Sequence, residues 1–225
     1  MYYKFRNCNK NNFKALEEGC AYFSSFKELN DPFDGSFMQE EKIGDNLSKK
    51  LDRRLIYCMT EGNNEGAVTL NHLMWTFYAC AHRGFCIEYN DLIFEGFKSY
   101  DMVKNIQEHV WMKIVYTHAC SDQNRCGDNE ENFFARALKH KAKAFEFENE
   151  IRLIYHTDKP GGRCMQLTTG CINAIYLGCR ISKDNKEKLI KIAKAKSIAC
   201  YQMIMDKTSY ILGVEQVWPS PNMTN

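Results

Sequence analysis

Charge of one sign is what this chain has least of: 30 lysines and arginines against 28 aspartates and glutamates leave a formal net charge of +2. So even a balance gives no global pull toward nucleic acid or an anionic membrane. Long apolar runs are missing as well. No stretch approaches the roughly 18 apolar residues that a membrane helix needs, and the opening M-Y-Y-K-F-R-N lacks the apolar core of a secretion signal. The expected location is therefore the cytoplasm. Signature motifs are absent too: no H-x-x-x-H metal helix, no phosphate-cradling glycine loop of the P-loop or dinucleotide type, and no G-x-S-x-G elbow.

Cysteine is abundant, but not in a pattern that builds anything. The count is 11, the spacing is irregular, and no C-x-x-C occurs. In a reducing compartment the expectation is free thiols packed as small hydrophobes. Cys80 and Cys86, like Cys120 and Cys126 beside His118, stand too far apart for the usual zinc-ligand pairs, so no metal is expected. The basic stretch from Lys183 to Lys196 has helical spacing and reads as a solvated helix face.

What is present is an ordinary globular composition, 44% apolar and 26% charged over 225 residues, enough for one substantial core. With only four prolines, elements run with few breaks. Tyr2 to Phe5 reads as a strand, followed by a short helix capped by Asn11 or Asn12 and ended by Gly19, then a strand over Cys20 to Ser24. Ser25 and Glu28 have capping-box spacing, and Asn30 and Asp31 before Pro32 break regular structure, with a turn made by local side-chain bonds as one reading. Further helices are expected over about Gln39 to Arg53, from Asn129 with Phe134, Ala137, Leu138, Ala142 and Phe145 on one face, and from Ser182 or Asp184 to Lys196. Strands are expected at Leu55–Met59, Trp111–Tyr116, Glu150–Tyr155 and Cys171–Leu177, and a closing hairpin at Ile198–Met205 and Tyr210–Val217. Loops are expected at Glu61–Thr69 and His118–Asp128, with a turn at Gly161-Gly162. Without regular β-α-β alternation the fold class is α+β, with mixed or antiparallel sheets and surrounding helices.

Two stretches carry candidate chemistry. In L-M-W-T-F-Y-A-C-A-H-R-G-F-C-I-E-Y, from Leu73 to Tyr89, helical spacing puts Trp75, Tyr78 and His82 on one face, with Gly84 as the helix stop and a strand after it. An indole, a phenol and an imidazole so placed make a binding surface, although Trp75 also suits a core. In F-E-F-E-N-E-I-R, from Phe145 to Arg152, an extended chain puts Phe145, Phe147, Ile151 and Leu153 on one face and Glu148, Glu150 and Arg152 on the other, with Glu148 on the last turn of the preceding helix as the alternative. Such a row would polarise a hydroxyl, orient a nucleophile or hold an anion. Its bland alternative is an exposed strand face with a weak salt bridge.

Taken in order, Y-K-F-R at Tyr3 to Arg6, Y-F-S-S-F-K-E-L-N-D-P-F-D at Tyr22 to Asp34, the Trp75 stretch and the glutamate stretch resemble the bacterial domain-of-unknown-function family 2971. Phe145 stands where that family often has tryptophan. The resemblance implies one domain over 1–225, with the family-like part at about 2–217 and a short tail at 218–225. A more distant similarity to ADP-ribosyltransferases implies cleavage of NAD between nicotinamide and ribose. On that likeness Glu150 or Glu148 is the catalytic carboxylate, stabilising an oxocarbenium-like transition state. Tyr78 or Trp75 stacks on nicotinamide, and Lys4 or Arg6 steadies the dinucleotide. The pocket expected from this takes Tyr78 and His82 as further catalytic groups, and Tyr3, Ser24, Ser25, Asn30, Asp31 and Arg152 as further NAD-binding groups.

The leading expectation is thus an NAD-consuming, ADP-ribosyltransferase-like enzyme acting as a bacterial toxin or phage-defence effector. Its rivals are a non-catalytic sensor module that binds a nucleotide or a protein, and an RNA-directed nuclease. A nucleotide is the expected ligand and a second copy of the chain an optional partner. The acceptor, protein or nucleic acid, is left open.

Overall fold

The computed structural model describes residues 1–31, 34, 53–62, 71–99, 109–118, 138–157 and 163–219. In chain order the elements are β1 (Tyr2–Arg6), α1 (Lys10–Glu18), β2 (Cys20–Tyr22), β3 (Ser24–Ser25), β4 (Arg54–Glu61), α2 (His72–Tyr78), β5 (Phe85–Tyr89) and β6 (Lys98–Ser99). They continue as β7 (Val110–Lys113), β8 (Val115–Thr117), β9 (His140–Ala142), β10 (Glu150–His156), β11 (Cys164–Gln166), β12 (Ile172–Leu177), α3 (Lys183–Lys196), β13 (Ala199–Met205) and β14 (Leu212–Trp218). This is α+β structure with a large mixed sheet and few helices, as the strand and helix patterns predict. The contacts gather into two compact units: Met1–Ala21, Met59–Glu95 and Gln166–Asn225 in the first, Tyr22–Cys58 and Gly96–Met165 in the second.

In the first unit the strand order is β14, β13, β12, β5, β1 and the end of β4. The hairpin β13–β14 forms as expected, and β12 lies parallel to β13 across α3, a single β-α-β step. Helix α1 starts one turn earlier than the candidate caps, because Asn9 accepts from the Asn12 N–H at 2.8 Å. Gly19, at φ 68°, ends it in the left-handed conformation that glycine takes without strain. Its buried Phe13 and Leu16 each contribute about 1.5–3 kcal/mol of apolar burial, Phe13 stacking on Phe85 at 6.1 Å. Helix α3 is capped by Ser182 and buries Leu189, Ile192 and Ala193, leaving its basic face largely in solvent. Among the described residues no helix is long and apolar enough to cross a membrane.

The Trp75 helix departs from expectation. Helix α2 is capped by Asn71 but stops at Tyr78 rather than at Gly84. Cys80, Ala81 and His82 follow with φ of 51°, 51° and 66°, three left-handed residues in a row, each costing about 1–2 kcal/mol without glycine. Backbone bonds hold the turn: Ala81 N–H to Thr76 O, His82 N–H to Trp75 O and Gly84 N–H to Ala79 O, at 3.1, 3.1 and 2.8 Å. Gly84 is required for a different reason from a helix stop. A Cβ on it would lie 2.1 Å from the Arg6 carbonyl oxygen, so the strand can pass only without a side chain.

In the second unit the order is the start of β4, then β10, β7 and β6, with β3 also on β4. Ile56, Val110, Met112, Leu138 and Ile154 form its apolar core, and fully buried Phe23 lies among the rings of Tyr57, Phe97 and Tyr155. The expected strand Trp111–Tyr116 divides in two at Ile114, whose N–H turns to the Glu150 carbonyl at 3.0 Å. Among the described residues, the expected helix through Phe145 is helical at Leu138 and Lys139. Beyond them lie β9 and then a 3-10 stretch over Lys143–Glu148, so Ala142 and Phe145 share no helix face with Leu138. Residues 32–33, 35–52, 63–70, 100–108, 119–137, 158–162 and 220–225 lie outside the described residues. They hold the expected helix over 39–52, most of both expected loops, the Asn129 cap with Phe134 and Ala137, Cys120 and Cys126, the Gly161-Gly162 turn and most of the tail. The cysteine expectation needs one correction: Cys20 and Cys164 are each part of a disulfide. Cys8, Cys58, Cys80, Cys86, Cys171, Cys179 and Cys200 keep their thiols, three of them buried.

Candidate functional site

The glutamate stretch becomes the densest ionic constellation among the described residues of the second unit. Alternation fails at Asn149, which sits at φ 42°, ψ 53° and reverses the chain between a 3-10 turn and β10. Asparagine tolerates that conformation better than most residues. Glu148 from the turn and Glu150 from the strand therefore converge on one cation, Lys141 of β9, at 2.5 and 3.0 Å. Arg152 lies two residues along β10, on the same side as Glu150. Its Nε donates to Glu150 Oε1 at 2.6 Å, its Nη1 to the Leu138 carbonyl at 3.1 Å, and its Nη2 to both oxygens of Asp34 at 3.0 and 3.1 Å. The Glu150 N–H donates to the Tyr116 hydroxyl at 2.7 Å, and the Cys58 thiol bonds the Glu150 carboxylate.

The bland alternative, an exposed strand face, does not hold. The side chains of Asp34, Lys141, Glu148, Glu150 and Arg152 expose only 0–6% of their area. Burial pushes the Glu150 carboxyl up, but Arg152 and then Lys141 more than reverse it and hold it below the usual carboxylate range. Burial works against the Lys141 ammonium too, and Glu150 and Glu148 outweigh it, raising Lys141. Asp34 goes the other way: burial raises it, and Arg152 only partly offsets that. At Asp34, unlike at Glu150, the net effect opposes ionisation. Phe145, the aromatic in the motif, places its ring 4.8 Å from Lys141 Nζ.

Asp34, Lys141 and Tyr116 were not among the residues expected at the site. Asp34 was within reach, as the last residue of the quoted N-D-P-F-D motif. Lys141 carries no local signal, because its partners stand 7 and 9 residues on across an irregular turn. The Asp34 N–H bonds the Asp31 carbonyl at 3.0 Å, a backbone bond and not one of the side-chain bonds of the turn reading. Ser25 makes the full capping box with Glu28, whose Oε2 accepts the Ser25 N–H at 2.8 Å. Ser24 pairs with Ile56 in the β3–β4 ladder.

The remaining expected residues fall in the first unit. Trp75 is fully buried, edge-on to Phe5 at 5.2 Å, and so belongs to the core rather than to a stacking platform. His82 is not on the helix face, yet the left-handed turn lays its ring parallel to Trp75, at 6.1 Å and 15°. Its Nε2 lies 3.4 Å from Thr76 Oγ1, while Nδ1 is buried without a hydrogen-bond partner. Burial, then His72 and Arg180, lowers its pKa and favours the neutral imidazole. Tyr78 ends α2 half-buried, and Lys4 and Arg6 lie half-buried on β1.

Tyr3 takes part in a second carboxylate setting. It stands opposite Glu88 across β1 and β5 and hydrogen-bonds it. The Tyr176 hydroxyl donates to Glu88 Oε2 at 2.7 Å, and Asn173 Nδ2 to Oε1 at 3.3 Å. Among the described residues no group of three or more histidines, cysteines or carboxylates stands where it could hold a metal ion. No protein-family model matches the chain, and no curated protein or solved structure matches it either.

Proposed function

We propose that this chain is a ligand-recognition module in which the Glu148–Glu150–Lys141–Arg152–Asp34 network is a structural keystone rather than a catalytic centre. The observation that carries this reading is the state of Glu150. Its two oxygens are engaged by Arg152 and Lys141 at 2.6 and 3.0 Å, and its side chain is 3% exposed. A carboxylate that is to polarise a ribose hydroxyl or face an oxocarbenium centre needs a free lone pair directed at the substrate. Here those directions are taken by protein cations.

A second reading, NAD-consuming ADP-ribosyl transfer, is favoured by a different observation. Within one cluster Asp34 is pushed up and Glu150 down, the kind of split that separates an acid from a permanent anion.

Incubation with nicotinamide-labelled NAD and cell lysate separates the two. The keystone reading expects no nicotinamide release from wild type, and a lower melting temperature for Glu150→Gln. Release by wild type that is lost in a still-folded Glu150→Gln protein overturns it in favour of transfer.

A further inference from the structure

The first unit holds a carboxylate whose surroundings are the reverse of those of Glu150. All donors to Glu88 among the described residues are uncharged: the Tyr176 hydroxyl, the Asn173 amide and the Tyr3 hydroxyl. An ionised carboxylate offers about four lone-pair directions, so these three leave at least one for a ligand. Glu88, Tyr176 and Tyr201 are half-buried, which leaves part of each in reach of solvent.

The sheet brings these groups to one face. Tyr3 stands opposite Glu88 and Tyr176 opposite Tyr201, with Ala174, two residues before Tyr176, also opposite Glu88. The Tyr176 and Tyr201 rings stack at 5.1 Å and 18°, and Tyr3 lies 6.4 Å from Tyr176. A second, independent feature points at the same spot. The β5–β12 register slips between Ile172 and Ala174, making Asn173 the extra residue of a bulge. Its side chain is thereby turned toward Glu88, and its Oδ1 is fixed by Asn90 Nδ2 at 2.8 Å. Bulges re-aim side chains in this way beside binding sites.

We infer that Tyr3, Glu88, Tyr176 and Tyr201 form a binding site for a small alkylammonium ion. The carboxylate supplies the counter-charge and the tyrosine rings supply electron-rich faces, the pairing by which aromatic cages take quaternary ammonium groups. This names a ligand class for the recognition module proposed above and rests on that reading, while its test involves neither NAD nor Glu150.

The probe is tetramethylammonium chloride, titrated into the full chain at constant ionic strength against sodium chloride and the neutral isostere neopentyl alcohol, with tyrosine ring resonances as the readout. Saturable shifts at millimolar tetramethylammonium are expected, in line with a single cation site. Glu88→Gln keeps the hydrogen-bond acceptor and removes the charge, so it should weaken binding at least about tenfold. Tyr201→Leu, which touches only one half-buried ring, should weaken it about threefold or more and serves if Glu88→Gln fails to fold. No saturable shift in wild type, equal binding of neopentyl alcohol, or unchanged affinity in the folded variants overturns the proposal.

Discussion

Glu150 and Glu88 are both glutamates on sheet strands, yet the chain treats them oppositely. In the second unit Glu150 is enclosed, its charge answered by an arginine and a lysine. In the first unit Glu88 is half-open, held by phenols and an amide that answer its hydrogen-bonding needs and leave its charge standing. The contrast teaches how to weigh a carboxylate in an uncharacterised fold: a glutamate surrounded by cations is already satisfied, and one surrounded by neutral donors still has a charge to offer.

The largest effect that would test the contrast is expected from Arg152→Met. Removing the cation leaves Glu150 and Asp34 buried without it, and breaking a buried pair this way costs about 3–5 kcal/mol. Chemical denaturation should show it as a large fall in the midpoint. A loss below about 1 kcal/mol would mean that the network is not a keystone.

Acid titration of stability sharpens the comparison at smaller magnitude. The folded Glu150 carboxyl is held below its ordinary value of 4.5, so its contribution is present above that pH and is lost as pH falls from there toward the folded value. The slope from this one group is at most about 1.4 kcal/mol per pH unit. Asp34, raised by burial, acts in the opposite sense, gaining stability as pH falls through its elevated value toward 3.8. Glu150→Gln should therefore flatten the acid limb of the stability profile. An acid limb as steep as that of wild type would show that Glu150 is not its source.

The smallest effect concerns His82. Its folded pKa lies below the ordinary 6.5, so the unfolded chain takes up the proton first and stability declines modestly as pH drops from 6.5 toward the folded value. His82→Phe keeps a ring against Trp75 and should remove that decline. An unchanged thermal-melting profile between pH 7 and pH 5.5 would show that the imidazole is not responsible.

Legibility followed how local the signal was. Elements set by a cap, a periodic apolar face or a short turn could be read directly: α3 from Ser182, the capping box of Ser25 and Glu28, and the β13–β14 hairpin. The burial of Trp75 was one of two readings its spacing allowed. What failed was set by unusual backbone conformations or by contacts distant along the chain. Helix α2 ends early because its last carbonyls accept N–H groups from a turn of three left-handed residues, none of them glycine. The glutamate row was visible as charge, and Glu150 and Arg152 share a side of β10, but Glu148 lies on the turn before it, where Asn149 turns alternation into convergence. Glu88 passed unremarked because its meaning depends on Tyr176 and Asn173, more than 80 residues away in sequence.

The order in which the two units are threaded has a consequence for biogenesis. The second unit has all of its residues once Met165 is made, whereas the first is assembled from three separated pieces and needs Gln166 onward to supply β12, α3, β13 and β14. β1 must wait for β12, α3, β13 and β14 before its sheet is complete, and loss of residues 166–225 would strip that sheet while leaving every segment of the other unit in the product. Premature termination should therefore expose the unpaired side of β5, a sticky edge of the kind that chaperones and proteases recognise.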